Sequence, residues 1–181
     1  MNHCYLFIGP SGSGKTTLAA NSFKSEQKII SYTTRTKRSG EKDNVDYHFV
    51  SRKVFEEMIQ QKAFAEYDYY DHHYYGIAMA SIKQALEKGD CYDPITMPGF
   101  WNLRKSFGLT VVPILIEVSK ETIQQRLKKR QATSEEIARR LELFSEEQKH
   151  YPELEKLPDL IKIDGEQPLK AMIQQLKTSL R

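Results

Sequence analysis

The sequence predicts an α/β fold, a parallel sheet flanked by helices, with a small lobe inserted into it. Three observations carry this. Strand signals alternate with helical ones along the 181 residues, the order that builds a parallel sheet covered on both faces. The apolar run Tyr5 to Ile8 feeds directly into Gly9-Pro10-Ser11-Gly12-Ser13-Gly14-Lys15-Thr16-Thr17, a strand–turn–helix transition matching G-x-x-x-x-G-K-[ST]. From Thr33 to Tyr75 the texture changes to a basic turn, a short alternating stretch and a run of tyrosines, which reads as the inserted lobe.

Core strands are expected at Tyr5 to Ile8, Lys28 to Ser31, Asp90 to Ile95, Val111 to Val118 and Leu160 to Ile163. A helix should begin at the glycine-rich loop, carrying Leu18, Ala19 and Ala20. Further amphipathic helices are expected over Ile77 to Glu87, Thr122 to Lys129, Ser134 to Lys149 and Leu169 to Leu180. The last has Leu169, Met172, Ile173, Leu176 and Leu180 on one core-facing stripe. Thr133-Ser134-Glu135-Glu136 reads as a capping box that starts a helix, which leaves Arg130 to Thr133 as a mobile link. Within the lobe, Tyr47-His48-Phe49-Val50 alternates like a strand and a short helix follows Ser51. Trp101 and Phe107 are expected to pack against the sheet.

A chain of this length folds as one domain and suits a small enzyme. Its net charge is +3. The basic residues gather near Arg35 to Arg38 and Arg126 to Arg140 rather than along a continuous stripe, which fits a phosphate pocket better than a nucleic-acid groove. Cys4 and Cys91 are the only cysteines and read as small, reduced core residues. The first residues lack the pattern of a signal peptide and no apolar run has membrane-spanning length, so a soluble, cytoplasmic protein without a membrane partner is expected.

The Gly9–Thr17 loop defines a nucleotide site. Its glycines let successive backbone N–H groups turn inward on a phosphate, and the helix that follows aims its positive dipole end at the same anion. Lys15 supplies a point charge to the β and γ oxygens, and Thr16 a hydroxyl to a Mg²⁺ that travels with ATP. A second phosphate site is implied by Ser31-Tyr32-Thr33-Thr34-Arg35-Thr36-Lys37-Arg38-Ser39-Gly40-Glu41 followed by Asp46-Tyr47. Two arginines three apart beside a glycine turn can fork a phosphate dianion, and Tyr47 can add a hydroxyl. Standing alone, this segment reads equally as a solvated basic loop. The Tyr67-to-Tyr75 run mixes His and Asp, but adjacent histidines on an extended segment face opposite ways, which favours a pocket rim or surface hairpin over a metal site.

With these blocks in order, together with Phe64-Ala65-Glu66, Tyr74-Tyr75-Gly76, Arg126-Leu127-Lys128-Lys129-Arg130 and Arg140-Leu141, the chain resembles the guanylate kinase family over most of its length. The resemblance implies a P-loop nucleoside-phosphate kinase fold, with a core (1–32, 77–125 and 150–181), a nucleoside-monophosphate (NMP)-binding lobe (33–76) and a lid (126–149). It implies transfer of the γ-phosphoryl group of ATP to GMP or dGMP. By matching position, Arg35, Arg38, Tyr47 and Tyr75 would hold the acceptor phosphate, and Ser31 and Glu66 would face the guanine. The competing reading of Glu66 is a surface glutamate at a strand end. Arg126, Arg130 and Arg140 would close over the transferring phosphoryl group, with Lys15 and Arg35 also catalytic, since this chemistry rests on positioning and electrostatics. Arg139 reads as part of an exposed charged face.

The chain departs from the family pattern in three places. Ile77 stands where a Ser or Thr hydroxyl normally serves the base. Counting back from Gly99 puts Pro94 and Thr96 at the two acidic positions of a stretch one residue shorter than the family's, where a shifted gap would let Asp93 take one of those roles near the metal or acceptor, and the lid is one residue short as well. Losing a base contact typically costs about 1–3 kcal/mol of discrimination, enough to redirect the enzyme to another phosphorylated acceptor. A domain that only binds a phosphorylated partner is the remaining alternative, opposed by the intact Lys15-Thr16. No Asn-Lys-x-Asp motif supports a regulatory GTPase.

Overall fold

Short apolar runs become strands, and amphipathic runs helices, in a computed structural model that describes residues 2–180. The strands are β1 (Cys4–Ile8), β2 (Tyr32–Thr33), β3 (His48–Phe49), β4 (Phe64–Tyr70), β5 (His73–Ala78), β6 (Cys91–Pro94), β7 (Val111–Glu117) and β8 (Ile161–Asp164). The helices are α1 (Lys15–Ser22), α2 (Arg52–Gln60), α3 (Met79–Lys88), α4 (Met97–Phe107), α5 (Lys120–Lys129), α6 (Ser134–Gln148), α7 (Tyr151–Leu154) and α8 (Leu169–Ser179). One sheet has the order β6-β1-β7-β8 and the other β3-β2-β5-β4. β1 is buried along its whole length and β7 along most of it, the signature of strands covered on both faces. No helix among the described residues is long and apolar enough to cross a membrane.

The chain divides into two compact units, Met1–Leu6 with Ser25–Val111 and Phe7–Lys24 with Val112–Arg181. The first holds the smaller sheet. β2 runs parallel to β3 and antiparallel to β5, and β4 and β5 form a hairpin. Asp71 and His72 turn that hairpin with φ of 50° and 67°, the left-handed pair a two-residue turn requires. Phe55 of α2 stacks on Phe64 at 4.4 Å and on Tyr74 at 5.1 Å between ring centres, and α4 packs on β4. In the second unit α1 packs on α8, α8 on β8 and α5 on α6, while β7 and β8 pair in parallel with Ile114 opposite Ile161.

Some of these expectations need correction. The strand foreseen at Lys28 to Ser31 is a single parallel bridge, Lys28 to Tyr92, with the Ile29 N–H donating to the Tyr92 carbonyl. The next donor along β6 would be residue 94, a proline with no N–H, so the ladder stops. The chain then joins the other sheet, where the Ser31 carbonyl accepts the His48 N–H. The helix foreseen from Ile77 starts at Met79, because Ile77 and Ala78 remain paired to Glu66 and Phe64 of β4. α4 was not foreseen at all. Pro98 and Gly99 weaken its helical signature, yet Thr96 caps it by accepting the Gly99 N–H and Pro98 stands in its first turn, where proline is tolerated.

The capping-box reading holds in part. Thr133 Oγ1 accepts the Glu136 N–H at 3.2 Å, whereas the Glu136 carboxylate lies 3.7 Å from Arg140. The segment read as a link is a hydrogen-bonded helix end, with Ala132 N–H to Leu127 O and Gln131 N–H to Lys128 O. Gln131 is held at φ 59°, the geometry of a Schellman cap that usually carries glycine. Cys4 and Cys91 are free and buried.

Candidate active site

In the second unit, β1 delivers the chain to the Gly9–Gly14 loop, and Lys15 and Thr16 open α1. Gly9, Gly12 and Gly14 all have positive φ, and a Cβ on Gly9 would come within 2.9 Å of the Ile116 carbonyl. Only glycine lets the loop run this close to β7. The Lys15 ammonium donates to the carbonyls of Gly9 and of Pro10, the latter at 3.0 Å. Desolvation pulls its pKa down to about 8, with Glu147 opposing and Arg140 adding to the shift. Thr16 is exposed.

Arg126 reaches the same loop from α5. Its guanidinium donates to the Gly12 carbonyl at 3.2 Å, to Ser13 O at 2.8 Å and to Gly165 O at 2.6 Å. These donors brace the loop's backbone. Arg140, on α6, is buried and sits close enough to Lys15 to shift its proton affinity. Arg130 caps the end of α5 and is exposed. The unit thus brings Lys15, Arg126 and Arg140 to the loop and leaves Arg130 on the surface.

In the first unit, the Arg35 guanidinium is held bidentate by Glu41, at 2.9 and 2.8 Å, and lies 5.6 Å from the centre of the Tyr47 ring. Glu41 also accepts the Arg38 backbone N–H at 2.7 Å, while the Arg38 side chain faces solvent. Tyr47 packs edge-on against Tyr75 at 6.1 Å. Burial, with Asp93 and Tyr75 nearby, pushes the Tyr47 phenol well above its ordinary pKa. Arg35, Tyr47 and Tyr75 therefore cluster, and Glu41, which sequence reasoning gave no role, fixes Arg35. The available signal was an acidic residue six positions after the arginine on one tight turn.

Glu66 is 5% exposed, which excludes the surface reading. A bulge in β4 between Phe64 and Glu66 turns the side chain inward, as bulges do beside binding sites. Its Oε1 accepts the Ile77 N–H at 3.1 Å. A Cβ on Gly99 would come within 2.5 Å of the Glu66 Oε2, so α4 can approach this closely only because residue 99 is glycine. Burial raises the Glu66 pKa to about 8, the Ile77 N–H opposing and Asp93 and Asp68 reinforcing. Asp93 is 1% exposed. Burial raises its pKa to about 7 against the pull of Lys28 and of a hydrogen bond with Ser31. The described residues provide no cluster of three His, Cys, Asp or Glu able to hold a metal.

A glycine loop and its lysine at the end of a strand, in a parallel sheet flanked by helices, define the P-loop kinase fold. A guanylate kinase from Anaplasma phagocytophilum has the same fold, with a TM-score of 0.75 at 23% identity over 99% of this chain and 85% of that one. The family model described as guanylate kinase matches residues 1–181, and the chain belongs to the guanylate kinase family. It is similar to the guanylate kinase of Syntrophotalea carbinolica at 38% identity over 143 residues, 76% of this chain and 68% of that protein. It is similar to that of Methylococcus capsulatus at 35% over 158 residues, 84% and 78% of the two chains.

Proposed function

We propose that this chain is a phosphotransferase that moves the γ-phosphoryl group of ATP to GMP or dGMP. An oxygen of the acceptor's 5′-phosphate attacks the γ-phosphorus, the bond to the β–γ bridging oxygen breaks, and ADP leaves with that electron pair. The observation that carries the acceptor assignment is the buried Glu66, held by the Ile77 N–H on one oxygen. Guanine offers N1–H and an exocyclic amine side by side to a single carboxylate, and adenine has no such pair.

The Gly9–Thr17 loop would bind the phosphates of ATP through its backbone N–H groups, with Lys15 leaving its loop carbonyls for the β and γ oxygens. Arg126 would keep the loop in shape, and Arg140 and Arg130 would answer charge on the transferring group from a lid over 126–149. Arg35, Arg38, Tyr47 and Tyr75 would hold the acceptor phosphate in an NMP-binding lobe over 33–76, with Ser31 and Glu66 on the base. An exposed hydroxyl at the start of α1, beside the loop that would hold the phosphates, suits a hard cation that keeps phosphate and water ligands. Thr16 would hold Mg²⁺ on that basis, and the ion would neutralise phosphate charge. Two free, buried cysteines suit a reducing compartment, so we place the activity in the cytoplasm.

The test is ADP release from ATP and Mg²⁺ with GMP, dGMP, AMP, UMP and CMP offered separately. Turnover confined to GMP and dGMP is expected. Turnover with none of them, from protein that binds ATP, would overturn the reading. Lys15→Ala should stay folded and lose at least ~100-fold in kcat; near-normal turnover would remove the loop from the mechanism.

A further inference from the structure

We infer that Lys28 is a positioning residue for the acceptor phosphate: its ammonium ties down the turn that leads into Tyr47 and so aims the Tyr47 hydroxyl at the phosphate of the nucleoside monophosphate. The inference deepens the proposed function and rests on it.

Lys28 falls in the stretch read as a core strand, where an apolar side chain is the usual occupant, and the family pattern gives it no role. Its backbone is fixed. Lys28 bridges Tyr92 in parallel, its N–H donates to the Ser25 carbonyl at 3.2 Å, and the buried Ile29 beside it donates to the Tyr92 carbonyl. From that base the ammonium crosses to a turn 17 and 18 residues further on, donating to the Val45 carbonyl at 3.2 Å and to the Asp46 carbonyl at 2.5 Å. The same ammonium lies 5.4 Å from the centre of the Tyr47 ring, within reach of a cation–π contact.

Tyr47 is thereby held on both sides along the chain. After it, the His48 N–H donates to the Ser31 carbonyl at 2.8 Å and β3 begins. Before it, the turn passes through Asn44 at φ 60° and is closed by bonds among its own neighbours: Asn44 N–H to Tyr47 O at 2.8 Å, Lys42 N–H to the Asp46 carboxylate at 2.7 Å, and Phe49 N–H to the Asp43 carboxylate at 3.0 Å. Val45 is exposed, so burial does not anchor the turn. Lys28 supplies a contact from a distant part of the chain. Two carbonyls directed at one ammonium fix the peptide planes just before Tyr47, and with them the direction in which its side chain leaves the backbone. A phenol O–H meets a phosphate oxygen only when the ring stands at hydrogen-bonding distance and angle. The Arg35 guanidinium lies 5.6 Å from the same ring, so the ring neighbours both the anchoring lysine and the arginine proposed to share the phosphate.

The experiment measures dissociation constants for GMP, guanosine and ATP by calorimetry in the wild type, Lys28→Met, Lys28→Arg, Tyr47→Phe and the Lys28→Met/Tyr47→Phe double variant, with melting curves to establish folding. Guanosine keeps the base and sugar of GMP and lacks its phosphate. Tyr47→Phe should weaken GMP about 10-fold, and Lys28→Met, which keeps the stem and removes the donors, about 5-fold. Both should leave guanosine and ATP unchanged, and Lys28→Met should add nothing further in the Tyr47→Phe background. Lys28→Arg, whose guanidinium can donate to both carbonyls, should hold GMP affinity to within about twofold. If Lys28→Met does not fold, the shorter, uncharged Lys28→Gln takes its place. Wild-type GMP affinity in the folded variant, an equal loss for guanosine, or a loss that persists without the Tyr47 hydroxyl would each overturn the inference and leave the proposed function standing. A wild type that neither binds nor phosphorylates GMP would defeat the proposed function itself, and this inference with it.

Discussion

Glu66 holds a proton at neutral pH until something offers it better partners. Its ordinary value of 4.5 is raised to about 8 by burial, so the folded state binds the proton more tightly than the unfolded state does. The associated stability is complete below pH 4.5 and is lost as pH rises through about 8. Glu66→Gln keeps the acceptor for the Ile77 N–H and removes the titration. It should raise Tm at pH 8 by roughly 2–8 °C over the wild type and by little near pH 5, a comparison that melting curves at the two pH values check. If Glu66 reads guanine as proposed, it does so ionised, so GMP affinity should rise with pH from about 7 to 8.5 and binding should release a proton. Calorimetry in buffers of different ionisation enthalpy reads that proton. Arg126 makes its own case, because its three carbonyl contacts cannot be replaced by an apolar side chain. Arg126→Met should weaken ATP binding by ~10-fold or more while GMP affinity holds, since it leaves loop carbonyls without their donor.

Among the elements, the join between α5 and α6 carries a cap built on a side chain that its geometry does not favour, as the end of α2 does at Lys62. Gln131 occupies a left-handed position at φ 59°, where a side chain costs roughly 1 kcal/mol that glycine avoids. Gln131→Gly should therefore raise stability by about 0.5–1 kcal/mol in denaturant melts, while Thr133→Ala, which removes the α6 cap, should lower it by about 1 kcal/mol. The contrast shows what a sequence displays at this scale. Thr133 announces a helix start through a side chain that does the capping itself. Gln131 announces nothing, because the cap is made by backbone groups. The same logic explains α4, whose Pro98 and Gly99 read as helix breakers until their places in the first turn and against Glu66 are known.

For the molecule as a whole, the phosphate loop was legible because its chemistry lies in consecutive residues, Gly9 to Thr17, on one strand–loop–helix. The cluster proposed to hold the acceptor was legible in its residue types and opaque in its wiring. Arg35, Tyr47 and Tyr75 come together, yet Glu41's grip on Arg35, the bulge that turns Glu66 inward and the burial of Asp93 depend on pairing across strands that one chain's order does not encode. If the proposed sites are right, the two units carry separate ligand chemistry, which hydrogen exchange can read. GMP alone should slow amides within Ser25–Val111, and a non-hydrolysable ATP analogue those of Phe7–Lys24 and Val112–Arg181. The Arg35–Glu41 pair has a further consequence in a medium crowded with chloride, carboxylates and stray phosphate. If Arg35 holds the acceptor phosphate as proposed, an arginine already neutralised by an internal carboxylate would offer casual anions little attraction. A visitor must displace Glu41, which a dianionic monophosphate ester with a base to anchor it can do and a lone monoanion cannot. The carboxylate acts as a built-in competitor that sets a threshold for entry.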